Sequence, residues 1–152
     1  LRAAYDPKKY PEAALAVLRQ GETGCGVFTE DEWGDYLIYR LYPEARVFVD
    51  GRFDFYGTKF TQSYLDVMNG KYDWESTLSR YKVHTVLLPV DASLASTLKL
   101  SQNWRTVYDD GVAIVFRSPA AMAAPGPSSA QAARTGGKCS PAVNTNERRT
   151  VL

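Results

Sequence analysis

The run VHTVLLP, Val83 to Pro89, limits the fold more than any other stretch. It shows no apolar–polar alternation that would turn one face to water, so a strand here must be covered on both sides and sit centrally in its sheet. The chain around it supplies the cover. Pro11 suits a first helical turn, and Ala13, Ala14, Val17 and Leu18 share one face before Gly21 stops the run. GCGVFT then reads as a short strand. Thr29 and Glu32 form a Thr-x-x-Glu capping box that opens a helix, whose core stripe is Trp33, Tyr36, Leu37 and Leu41. Pro43 ends it.

Arg46 to Val49 reads as a buried strand, with Asp50-Gly51 turning the chain out of it. Phe60, Tyr64, Val67 and Met68 mark a helix stopped at Gly70, and Trp74, Leu78 and Tyr81 mark a shorter one. Asp91 is placed to cap a helix carrying Leu94, Ala95 and Leu98. WRTVYDDGVAIVFR closes the pattern as two β-rich runs about an Asp-Asp-Gly turn, a hairpin. This alternation predicts an α/β domain over residues 1–118, Rossmann-like and three-layered, with a mainly parallel sheet and a C-terminal antiparallel hairpin. Residues 119–152 are rich in Ala, Pro, Gly, Ser and Thr and lack aromatics, which predicts a disordered tail.

Several classes of function are disfavoured. The formal charge of +1, from 18 basic and 17 acidic residues, gives no field to draw the chain to nucleic acid, and no basic stripe tracks phosphates. The glycines of GETGCGVF precede their strand, whereas a dinucleotide fingerprint needs them after it, so no cofactor is expected. Cys25 and Cys139 give neither a disulfide framework nor a zinc spacing, and Cys25 reads as a small buried hydrophobe. No apolar run approaches the roughly 20 residues needed to cross a bilayer. The start at Leu1, without methionine, reads as a piece of something longer.

In open α/β sheets ligands bind beyond the carboxyl ends of the strands. Asp31 and Glu32 follow the first strand here beside Glu30, Asp50 and Arg52 follow the second, and Asp91 follows the third. With strand order 2-1-3 all of them converge. One reading is a polar site for a sugar, a phosphate or a divalent ion. The other is architecture: Glu32 and Asp91 at helix N-termini, Asp50 accepting backbone N–H groups, Arg52 pairing with a carboxylate. Tyr39 lies off the core stripe of its helix and is the aromatic best placed to stack on a sugar. His84, the one histidine, sits in the most apolar strand and reads as a satisfied structural side chain.

The segment EWGDYLIYRLYPEARVFVDGRFDFYG resembles one that recurs in bacterial polytopic membrane proteins of the lipid-linked-sugar glycosyltransferase type, loosely related to protein mannosyltransferases and oligosaccharyltransferases. The likeness covers most of Tyr10 to Arg117. It rests on the pair Trp33-Gly34-Asp35-Tyr36-Leu37 and Phe48-Val49-Asp50-Gly51-Arg52. The Glu32–Tyr36 stretch is similar, more distantly, to the Trp-Trp-Asp-Tyr-Gly region of oligosaccharyltransferases. The order differs, so no acceptor-binding role passes to Asp35. The resemblance implies a noncatalytic extracytoplasmic domain whose partners are the transmembrane part of its own parent chain and a glycan or acceptor. Catalytic carboxylates of such enzymes lie in loops between membrane helices. A free-standing α/β binding protein or enzyme that takes a sugar phosphate or nucleotide at the acidic strand ends, and a protein-interaction module, are the alternative readings.

Overall fold

A computed structural model of the chain describes residues 5–21 and 26–123. Leu1, Cys25, Cys139 and the tail beyond 123 lie outside the described residues. The elements are α1 (Leu15–Arg19), β1 (Val27–Phe28), α2 (Asp31–Leu41), α3 (Phe53–Tyr56), α4 (Thr58–Met68), α5 (Trp74–Arg80), β2 (Thr85–Pro89), α6 (Ser93–Leu100), β3 (Arg105–Asp109), β4 (Ala113–Arg117) and α7 (Pro119–Ala123). The result is a mixed α/β domain built on a four-stranded sheet in the order β1-β2-β4-β3.

VHTVLLP folds as its composition demands. Val86 and Leu88 point to one hydrophobic cluster with Phe28, Ile114 and Phe116, and Leu87 points to another with Val27, Ala113 and Val115. The two clusters take alternate residues of β2 and β4, so they lie on opposite faces of the sheet. On the first face α4, α5 and α6 contribute Tyr64, Val67, Leu78, Leu94 and Leu98. On the second, α1 and α2 contribute Leu15, Leu18, Trp33, Tyr36, Leu37 and Leu41. The predicted stripe of α2 is thus buried in full. Each fully buried large side chain contributes about 1.5–3 kcal/mol relative to exposure.

Pairing departs from expectation. β1 runs parallel to β2, with Phe28 opposite Val86, and a single parallel bridge joins Val27 to Val47. The longer ladders, β2 with β4 and β4 with β3, are antiparallel. The expected parallel majority is not found among the described residues. The reason is local: Arg46 to Val49 touches the sheet only at Val47, and the C-terminal hairpin supplies the extended pairing instead. Still, Val47, β1 and β2 follow one another in space, which is the 2-1-3 order that the convergence of strand ends requires.

β3 is an exposed edge, irregular between Thr106 and Tyr108. α7 carries the chain past 118, with Ala121 buried on the domain. α3 was not anticipated, and α1 is shorter than its apolar pattern, burying Ala14, Leu15 and Leu18 while Ala13 is exposed.

Candidate functional site

Two motif halves far apart in sequence meet at the carboxyl end of the sheet. α2 crosses the segment after Val47 so closely that a Cβ on Gly34 would stand 2.2 Å from the Val49 carbonyl oxygen. Only a residue without a side chain fits. One position on, Asp35 Oδ1 accepts the Gly51 N–H at 3.4 Å. Trp-Gly-Asp and Asp-Gly-Arg therefore form one docking unit, each shaped by the other.

Asp50 is the anchor of that unit and is 1% exposed. Its Oδ1 accepts the backbone N–H of Arg52 at 3.0 Å, closing the turn. The Arg52 guanidinium folds back, giving Nε to Oδ1 at 3.0 Å and Nη2 to Oδ2 at 2.5 Å. Tyr56 on α3 adds its hydroxyl to the carboxylate. These bonds, Arg52's first, outweigh burial and hold the Asp50 carboxyl below the usual carboxylate range. The Arg52 side chain is 71% exposed and lies 5.9 Å from the ring of Phe55, itself 70% exposed. The buried acid thus displays an arginine and an aromatic on a short helix.

Tyr64 joins this loop to the end of β1. Its ring packs on Phe53, and its hydroxyl donates to the Thr29 carbonyl at 3.3 Å. Burial and then the charge of Asp31 raise its pKa. Glu30, beside it, is pushed up by burial, then by Glu32, Asp31 and Asp91. Glu30, Asp31 and Asp91 therefore share one field, next to the Asp50–Arg52 turn.

The capping expectations fail by one residue in both helices. Glu30, with ψ 155°, is the N-cap of α2 and makes no side-chain cap bond. Thr29 is left inside the strand end, its Oγ1 buried without a hydrogen-bond partner. Glu32 accepts instead from the Tyr10 hydroxyl at 3.0 Å. Likewise Ala92, not Asp91, is the N-cap of α6, and Asp91 is exposed. Extended backbone at Glu30 and Ala92 starts each helix one step late and carries the predicted caps out of reach.

The hairpin adds acids that sequence reasoning left out. Because β4 runs antiparallel to β2, the turn Asp109–Gly111 lies at this same end, where Val90 N–H donates to Val112 O at 3.2 Å. Asp110 Oδ1 accepts the N–H groups of Val112 and Ala113 at 2.9 and 2.8 Å. Burial pushes its pKa up, and these backbone bonds more than reverse that. The hairpin signal sets β3 against β4 but not β4 against β2, so it could not have placed this turn here.

Tyr39 does not join the site. It is 71% exposed near the C-terminal end of α2, in the group of Tyr5, Tyr10 and Tyr36. No cluster of three His, Cys, Asp or Glu side chains suited to a metal occurs among the described residues. Of the acids at the strand ends, Asp50 and Asp110 close turns, Glu32 accepts from Tyr10 and Asp91 is exposed. His84 has a partner the sequence did not advertise: its Nδ1 lies 3.2 Å from Ser118 Oγ, across the opposite end of the sheet.

No helix of the described residues is long and apolar enough to cross a membrane. Comparison with protein-family models, with curated proteins and with solved structures gives no match.

Proposed function

We propose that the chain is a noncatalytic accessory domain of a membrane-embedded, glycosyltransferase-like parent, lying at the extracytoplasmic face on a Rossmann-like three-layer scaffold. Its carboxyl-end knuckle, α3 with Arg52 and Phe55, docks against the membrane part of the parent or holds the acceptor over it. The observation that carries this reading is the use made of Asp50: a buried carboxylate spends its hydrogen bonds on holding an exposed Arg–Phe pair in place. Arginine and aromatic side chains are the types enriched where proteins and sugars are gripped. The buried acid is occupied by structure, so the chemistry belongs to the parent and not to this domain.

The reading frame upstream of Leu1 tests the proposal first. Several apolar spans of about 20 residues are expected there. A frame that opens at a methionine close to Leu1 overturns it. A photo-crosslinking amino acid in place of Phe55 in the longer protein tests the docking face, with an intramolecular crosslink to a membrane segment or capture of acceptor as the expected products. A label that reaches neither removes the knuckle from the proposal.

A further inference from the structure

At the amino end of β2, opposite the acidic strand ends, lies a half-open cleft of about 250 Å³. Four separated parts of the chain build it: Glu75 on α5, His84 at the entry to β2, Asn103 and Trp104 before β3, and Ser118 where β4 gives way to α7. Their polar groups are arranged at two depths. Inside, His84 Nδ1 and Ser118 Oγ are paired at 3.2 Å, with Ser118 only 8% exposed. At the exposed mouth, Asn103 Nδ2 donates to Glu75 Oε1 at 2.9 Å. Trp104 and Val83, both buried, line an apolar wall, with the exposed Pro119 and Ala120 on the rim.

We propose that this cleft is a small-molecule site that takes a primary amine carrying a compact apolar body. Charge selects the class. Glu75 is the one carboxylate among the described lining residues, and neither Lys nor Arg is among them. A phosphate or carboxylate would meet a carboxylate with no lysine or arginine beside it, whereas an ammonium group meets an acceptor, with the Trp104 ring in the wall. Glu75 keeps an oxygen for it, because Asn103 uses only Oε1. Size selects the body. The volume equals that of about eight waters of liquid, so a single small ring or short alkyl chain fills it. The inner His84–Ser118 pair offers a hydroxyl and a ring nitrogen to a polar atom on that body.

Calorimetric titration of the chain with phenethylamine, 2-phenylethanol and phenylacetate tests this directly. The amine binds saturably with a Kd of about 1 mM, as expected for a ligand this small. The alcohol binds at least about tenfold more weakly and the carboxylate not at all, reflecting one charge-assisted contact. Glu75→Gln retains an acceptor for Asn103 and brings the amine down to the alcohol's affinity. Ala120→Trp fills the cleft from its rim and removes binding of both. No saturable binding of the amine, phenylacetate binding as well as the amine, or a Glu75→Gln variant that binds the amine like the parent each overturns the proposal. Circular dichroism melts establish that the variants are folded, and if Ala120→Trp is not, Glu75→Gln decides alone.

Discussion

At the carboxyl end of the sheet Glu30 feels the charges of Glu32, Asp31 and Asp91, the hairpin aspartates turn the chain, and Arg52 is folded onto Asp50. At the amino end of β2 a single carboxylate, Glu75, stands at the mouth of a cleft beside a histidine–serine pair. The first end is rich in charge, and two of its acids are committed to turns: the buried Asp50 to Arg52, and the exposed Asp110 to the hairpin N–H groups. The second is poor in charge and keeps open volume. Density of ionisable residues here marks where the chain must be turned. A cleft with unspent hydrogen-bonding capacity marks where something else can bind.

The comparison breaks most visibly at Gly34. An alanine there gains about 1 kcal/mol of helix propensity. Its Cβ would stand 2.2 Å from the Val49 carbonyl oxygen, a backbone atom that cannot rotate away. Overpacking of this kind costs about 1–3 kcal/mol, and a backbone clash this close falls at the upper end, so Gly34→Ala is expected to lose net stability of up to about 2 kcal/mol and to loosen the Asp50 turn. Urea melts measure the loss, and amide exchange at Gly51 and Arg52 reports the loosening. A variant as stable as the parent would mean that α2 does not hold this end.

Asp50→Asn comes next. It keeps an oxygen for the Arg52 N–H but removes the charge that the guanidinium grips, a loss of about 1–2 kcal/mol at neutral pH, reduced because Arg52 is washed by solvent. The sign of the pH dependence follows from the depressed pKa of Asp50 in the folded state. Its contribution is complete above the ordinary aspartate value of about 4 and disappears as pH falls through the lower folded value. Parent and variant should therefore converge in stability in acid. A gap that persists there points to shape and not charge. At the other end, Ser118→Ala removes one half-buried hydrogen bond to His84 and costs about 1 kcal/mol by thermal melt, without moving the carboxyl end.

How much of this could be read from the chain depends on range. The stripe Trp33, Tyr36, Leu37 and Leu41, the two-faced burial of Val86 to Leu88 and the hairpin about Asp109–Gly111 all follow from periodicity within a few residues. So does the pairing of Arg52 with Asp50, two residues apart. What periodicity misses depends on where an extended residue ends: Glu30 and Ala92 each displaced a predicted cap. It also misses partners that only the sheet brings together. Ser118 reaches His84 because Arg117 is paired with Thr85, and the hairpin acids join the strand ends because β4 turns back along β2. Tyr39 was singled out by its position off the stripe, which correctly gives exposure but says nothing about which end of α2 faces the site.

Glu30 offers the smallest effect and the sharpest contrast with Asp50. Burial and the charges of Glu32, Asp31 and Asp91 raise its pKa, so the folded state prefers it protonated. That cost is absent below the unfolded glutamate value of about 4.3, grows as pH rises toward the folded value and is complete above it. A carboxylate at a helix N-terminus gains up to about 1 kcal/mol, but Glu30 makes no cap bond and Asp31 and Glu32 already occupy the first turn. Burial and repulsion together outweigh the dipole, and Glu30→Gln is expected to stabilise the protein by a few tenths of a kcal/mol at neutral pH, the gain shrinking in acid. Paired urea melts at neutral and acid pH resolve it. If the variant is instead less stable at neutral pH, the Glu30 carboxylate is helping to hold α2 in place, and the acids at this end all serve the fold.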